Sequence, residues 1–134
     1  MSSYSWSLYA SVAIGAALGG IARFWAAGLA ARLLGDNFPW GTLLINVTGS
    51  AALGFAAALT APDGRFFVPA AMRAFVMIGL CGGFTTFSTF SLETFNLTRS
   101  GEYWRAGLNI AGNLVLCLVA VWCGYAATTL WNRR

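Results

Sequence analysis

The segment Gly79-Leu-Cys-Gly-Gly-Phe-Thr-Thr-Phe-Ser-Thr-Phe-Ser-Leu-Glu93 lies within a long apolar run, yet it contains three glycines, five hydroxyl residues and three phenylalanines. So many hydroxyl groups would gain no favourable contact on a helix that faces lipid. Irregular backbone at membrane depth is tolerated only where protein buries it or where it lines a cavity. The segment therefore predicts a polar site inside a membrane.

The composition around this segment is that of a membrane protein. The chain has 134 residues, of which 58% are hydrophobic and only 9% are charged. Uncharged runs cover residues 1–22, 37–62, 74–92 and 106–132. A bilayer core takes about 20 helical residues, so the runs predict four spans, at 5–34, 40–61, 69–97 and 103–131. We expect an all-α protein in which residues 1–134 form a single four-span transmembrane domain.

Arginine supplies all eight basic residues, and four spans would divide them equally between the two sides of the membrane. One side would hold Arg65, Arg73, Arg133 and Arg134, and the other Arg23, Arg32, Arg99 and Arg105. The positive-inside rule then favours neither orientation. This balance predicts insertion in both orientations and pairing with an inverted copy. Alternatively, Arg23 lies too deep to count and a slight bias still sets one topology.

Small residues recur at a four-residue spacing in two of the predicted spans. Gly15 and Gly19 form one such pair, and Gly79 and Gly83 form another. This spacing lets helices approach closely. We therefore expect both pairs to lie at helix contacts.

Polar amides occur within two predicted spans. Asn46 shares a helical face with Thr42 and Gly49, and Asn109 and Asn113 are four residues apart. An amide in a membrane needs hydrogen-bonding partners. Asn46 therefore either bridges helices or lines a polar path, and the Asn109–Asn113 pair is either a helix contact or part of a pore wall.

Phe87 and Phe90 are neighbours on one helical face, and hydroxyl residues alternate with them. A phenylalanine stripe usually packs in a core. Because an aromatic ring has a positive edge, ring edges and neutral donors together are also suited to a small anion. Just before them, Gly82 and Gly83 are able to open the helix and present carbonyl oxygens, which suit a hard cation such as Na⁺.

Two charged residues border the apolar runs. Arg23 either lines an aqueous vestibule that concentrates anions or extends to the membrane surface. Glu93 pairs with Arg99 or hydrogen-bonds another helix, and we favour a structural role.

Several functional classes do not fit. The chain has no histidine, no catalytic triad, no paired carboxylates and no phosphate-binding glycine loop, so an enzyme is not expected. A proton-coupled exporter of the small multidrug type needs a carboxylate inside the membrane, typically in span one, and span one has none. An assembly subunit held by small-residue packing would not need the polar and aromatic residues of span three.

Three motifs stand out along the chain: Gly-Gly-x-x-Arg at 19–23, Gly-Thr-x-x-x-Asn at 41–46 and Gly-Gly-Phe-Thr-Thr-Phe-Ser-Thr-Phe at 82–90. Together they resemble the Fluc (CrcB) family of fluoride channels. The third motif is highly specific, and the resemblance covers essentially the whole chain. It implies passive export of toxic cytoplasmic fluoride across a bacterial inner membrane, with the lipid bilayer, fluoride and an inverted copy of the chain as partners and no nucleic acid.

The resemblance also assigns roles to residues. It implies an antiparallel, dual-topology homodimer with two pores and a break in the third helix. The implied path consists of Phe87 and Phe90, the amide of Asn46, the polar residues Ser88, Thr89 and Thr42, and Arg23 near the vestibule. A central Na⁺ would be held by backbone carbonyls of Gly82 and Thr85 from both subunits. In span four, Asn113 and Cys117 stand where family members often carry small hydroxyl residues, and Asn113 is expected to line the path.

Overall fold

The computed structural model describes residues 6–61 and 66–132, and all regular secondary structure within these ranges is helical. The elements are α1 (Trp6–Leu34), α2 (Trp40–Leu59), α3 (Ala70–Arg73), a π-helical segment (Ala74–Cys81), α4 (Gly82–Phe84), α5 (Phe87–Arg99) and α6 (Tyr103–Asn132). Arg65, Arg133 and Arg134, which entered the predicted charge balance, lie outside the described residues.

Four helical stretches are long and apolar enough to cross a membrane. They are Trp6–Leu34, Trp40–Leu59, Ala70–Arg99 and Tyr103–Asn132. Each lies within a few residues of a predicted span. The expectation of an all-α membrane protein with four spans is therefore confirmed.

Turn-forming residues lie between the spans, at the positions where the sequence predicts the spans to end. α1 ends just before Gly35, whose φ of 77° is accessible to glycine at little cost. Pro39 directly precedes α2. α5 ends before Ser100 and Gly101, and the φ of Gly101 is also 77°. These short turns keep consecutive spans close to one another.

Glycines set the distance between packed helices. A Cβ on Gly79 would lie 2.9 Å from the Cα of Gly15, so α1 and the π-helical segment meet backbone to backbone. The predicted contact role of both glycine pairs is confirmed, since a Cβ on Gly83 would lie 2.6 Å from the carbonyl oxygen of Ala16 and one on Gly19 would meet backbone near Leu80. α2 and α6 pack just as closely around Gly54 and Gly124.

Candidate functional site: a hydrogen-bonded polar interior with two grooves

Two residues with extended backbone separate α4 from α5. Thr85 has φ −77° and ψ 158°, and Thr86 has φ −151° and ψ 115°. Thr86 is the N-cap of α5, because its Oγ1 accepts a hydrogen bond of 3.2 Å from the N–H of Thr89. The Thr85–Thr86 segment thus starts a new helix whose first turn carries Phe87 and Phe90.

The Asn46 side chain on α2 satisfies the backbone of Thr86. The Thr86 N–H donates to Asn46 Oδ1 at 2.8 Å, and Asn46 Nδ2 donates to the Thr86 carbonyl at 3.1 Å. Asn46 Nδ2 also donates to Asn113 Oδ1 at 2.9 Å. Because an amide nitrogen carries two protons, the Asn46 side chain uses both of them inside the protein.

These contacts leave two carbonyl oxygens without their helical partners. In a continuous helix, the Thr86 N–H would bond the carbonyl of Gly82, and the Thr89 N–H would bond that of Thr85. Here the first N–H donates to Asn46 and the second to the hydroxyl of Thr86. The carbonyls of Gly82 and Thr85 are therefore left without these helical bonds, and Gly82 is exposed.

A line of amides continues from Asn46 into the interior. Asn113 Nδ2 donates to both the backbone oxygen and Oδ1 of Asn109, each at 3.0 Å. Asn109 Nδ2 donates to Thr94 Oγ1 at 2.9 Å, and Thr94 Oγ1 donates to the Phe90 carbonyl at 2.8 Å. Asn109 is fully buried and Asn113 is 5% exposed. Both amides therefore connect α6 to the helices that pack against it.

Thr42 and Glu93 form a second contact between α2 and α5. Thr42 Oγ1 donates to Glu93 Oε1 at 2.8 Å. The other carboxyl oxygen, Oε2, is buried and has no hydrogen-bond partner among the described residues. Of the two interpretations of Glu93, the contact with another helix is the one that the structure contains.

The two phenylalanines form a ring pair at the start of α5. Their ring centroids are 5.3 Å apart and their planes are inclined by 57°. Phe90 is buried, whereas Phe87 is 75% exposed on the single chain. One ring is thus anchored in the protein and the other lies on its surface.

The expected path residues are divided between two grooves that share Thr86. A groove of about 730 Å³ brings Arg23 of α1 together with Thr42 and Thr89. A groove of about 320 Å³ brings together Asn46, Thr85, Phe87, Phe90, Asn113 and Cys117. Ser88 lines neither groove, although its hydroxyl lies 3.3 Å from that of Thr86. Gly82 also lies outside both.

Two residues that are central to this hydrogen bonding were not among the site residues predicted from the sequence. Thr86 pairs with Asn46 and caps α5, and Thr94 ends the line of amides. A threonine directly before a helical phenylalanine pattern is a recognisable N-cap signal. Nothing in the sequence distinguishes Thr94 from the many other hydroxyl residues of α5.

Comparisons with known proteins identify the family of the chain. Residues 10–125 match the family described as CrcB-like protein, Camphor Resistance (CrcB). A fluoride-specific ion channel FluC of Opitutus terrae is 59% identical over 126 residues, covering 94% of this chain and 96% of the relative. The proteins of the same name from Methylocella silvestris and Paramagnetospirillum magneticum are 57% and 54% identical over 125 residues, covering 93% of this chain and 95% and 98% of the relatives. The earlier resemblance is confirmed, and the chain belongs to the CrcB family.

Proposed function

We propose that this protein is a passive, fluoride-selective channel that lets toxic cytoplasmic fluoride leave a bacterial cell across its inner membrane. The observation that carries this proposal is the near-full-length identity of 54–59% to relatives named fluoride-specific ion channels. The chain is accordingly a multi-pass membrane channel and not an enzyme.

The smaller groove has the chemistry that a dehydrated fluoride ion needs. Its described lining residues include no Asp, Glu, Lys or Arg. Fluoride is small and strongly hydrated, so its path must replace water by close donors. The positive edges of the Phe87 and Phe90 rings and the amide of Asn46 would supply them. Because both Asn46 protons are already donated, fluoride would share one of them with its present acceptor, the Thr86 carbonyl or Asn113 Oδ1.

The larger groove would serve as the vestibule. Arg23 there is half-buried and lies with the hydroxyl residues Thr42 and Thr89. A cationic side chain at the edge of a low-dielectric region raises the local concentration of anions. Fluoride would then pass along Thr89 and Ser88 toward the ring pair. The membrane potential favours anion export by about 2.3 kcal/mol per 100 mV, so no chemical energy source is required.

The complete pore would require a second, inverted copy of the chain. The 75% exposure of Phe87 and the exposure of Gly82 support this proposal, because both would otherwise face lipid. Two antiparallel copies would form two pores in a dual-topology homodimer. A cysteine in place of the exposed Ser100 should then be labelled from both sides of the membrane in cells. Labelling from one side only would refute dual topology.

A Na⁺ ion would bind at a break in the third span, between the two copies. Its ligands would be the carbonyl oxygens of Gly82 and Thr85, which suit a hard cation. Both carbonyls have lost their helical donors to Asn46 and Thr86, and this supports the assignment. The bound ion would supply a fixed positive charge that holds the two copies together.

Efflux from liposomes tests the proposed function directly. Purified protein is reconstituted into liposomes loaded with potassium fluoride, a potassium ionophore is added, and a fluoride electrode records efflux. Liposomes loaded with potassium chloride provide the control. We expect rapid fluoride efflux without a proton gradient and no chloride efflux. Efflux that depends on a proton gradient, or no efflux, would refute the proposal.

A further inference from the structure

The hydrogen bonds from Asn46 to Phe90 all run in one direction. Asn46 donates to Asn113, Asn113 donates to Asn109, Asn109 donates to Thr94, and Thr94 donates to the Phe90 carbonyl. We call these side chains the amide ladder. We propose that Asn109 and Asn113 are positioning residues, which fix the orientation of the Asn46 amide and thereby the backbone that carries Phe87 and Phe90.

Backbone groups set this direction at both ends of the ladder. At one end, the Thr86 N–H is only a donor, so it requires the oxygen of Asn46, and the Thr86 carbonyl requires the nitrogen. At the other end, the Phe90 carbonyl can only accept, so the Thr94 hydroxyl donates to it and its oxygen accepts from Asn109. The Asn109 carbonyl likewise attracts the nitrogen of Asn113. Each amide therefore has one favourable orientation, and reversing any of them would set donor against donor or acceptor against acceptor.

The direction of the hydrogen bonds determines which side-chain atom of Asn113 faces Asn46 and the smaller groove. The NH₂ group of Asn113 bonds two oxygens of Asn109, so its oxygen is the atom that faces Asn46. An oxygen acceptor repels fluoride. Asn113 is therefore suited to hold Asn46 in place and not to bind the ion. Asn109 is fully buried and lines neither groove, so any effect it has on fluoride must pass through its ladder neighbours, Asn113 and Thr94.

The ladder connects the two ends of the first turn of α5. It starts at the Thr86 carbonyl and ends at the Phe90 carbonyl. Phe87 and Phe90 lie on this turn, and their relative position depends on it. All ladder groups are neutral, which avoids the cost of a buried charge. The inference rests on the proposed function only for its effect on fluoride flux, since the backbone effect is measurable without flux.

The test uses Asn109→Leu, with fluoride efflux and hydrogen exchange of the Thr86 amide as the two measurements. Losing one hydrogen bond of this kind shifts an equilibrium by roughly two- to tenfold. We expect exchange of the Thr86 amide to rise, and fluoride efflux to fall, by about that factor. Asn113→Leu, which removes the acceptor bonded directly to Asn46, should have the larger effect on both.

Two substitutions at Thr94 change the packing less than Asn109→Leu does, and we expect both variants to fold. Thr94→Val removes the ladder hydroxyl and should raise Thr86 exchange, although less than Asn109→Leu. Thr94→Ser keeps the hydroxyl and should behave like the parent protein. Thr98→Val is the matched control, because within the described part of the chain the Thr98 hydroxyl bonds only a carbonyl of its own helix.

The outcomes separate the hypotheses. Raised Thr86 exchange with slowed efflux in Asn109→Leu, and recovery in Thr94→Ser relative to Thr94→Val, would support the positioning role. Unchanged Thr86 exchange and efflux in Asn109→Leu would overturn it, even if the melting temperature falls. If the parent protein carries no fluoride, the proposed function fails, and Thr86 exchange alone still decides the ladder.

Discussion

Replacing Asn46 by leucine removes the one side chain among the described residues that bonds both backbone groups of Thr86. The substitution keeps a similar size but loses the hydrogen bonds of 2.8 Å and 3.1 Å to that residue. Thr86 is 7% exposed, so water cannot replace these partners freely. A buried polar group left without a partner costs about 1–3 kcal/mol. The Thr86 N–H is such a group, whereas the Thr86 carbonyl, as the N-cap oxygen, still accepts the first intrahelical bond of α5. The expected loss of stability is therefore about 1–3 kcal/mol, with a further contribution from the orphaned Asn113 oxygen.

Unfolding of the purified protein in detergent, followed by tryptophan fluorescence against denaturant, measures this loss. Thr48→Val is the matched control on the same helix, because the exposed Thr48 hydroxyl bonds only carbonyls of α2 across residues 6–61 and 66–132. We expect this control to lie within about 0.5 kcal/mol of the parent protein. An Asn46→Leu variant as stable as the control would refute the argument that Asn46 holds the Thr85–Thr86 segment.

Three further predictions concern the ring pair, the glycine contacts and the vestibule. Phe87→Ile should slow fluoride efflux strongly while the chain still folds, because Phe87 is 75% exposed on the single chain; unchanged efflux would remove this ring from the path. Gly15→Ala should destabilise the protein by about 1–3 kcal/mol, because the new Cβ would lie 2.5 Å from the Phe75 carbonyl oxygen. Gly20→Ala is the control, because its new Cβ would have no atom within 4 Å. Equal unfolding midpoints for these two variants would contradict the close contact. Arg23→Ala should slow efflux by up to about tenfold at low salt and less at high salt, and an effect independent of salt would argue against a vestibule.

The positions of the four spans were predictable because they depend on length and composition. The predicted span 5–34 corresponds to Trp6–Leu34, and 103–131 to Tyr103–Asn132. Because turn residues such as Gly35 and Gly101 border the uncharged runs, few alternatives remain for the positions at which the helices end. The contacts of Gly15, Gly19, Gly79 and Gly83 were indicated by their four-residue spacing, whereas the contacts of Gly54 and Gly124 were not predicted.

The hydrogen bonding was less predictable because it depends on which helices meet. The spacing of Asn109 and Asn113 indicated a polar seam but left a helix contact and a pore wall open. Only the packing of α6 against α2 and α5 shows that both Asn113 protons point to Asn109. The π-helical segment Ala74–Cys81 was also not predicted, since its apolar sequence fits an ordinary helix equally well.

The dependence of Thr86 on Asn46 has a consequence for how the chain is built into the membrane. A third span inserted alone would expose the N–H of Thr86 to lipid, where an unsatisfied backbone group costs several kcal/mol. α2 precedes this span in the sequence and is therefore synthesised first. The nascent chain thus already contains the amide that receives the Thr86 backbone when the third span leaves the ribosome. α6 follows last and adds Asn113, so the order of synthesis is also the order in which these partners become available.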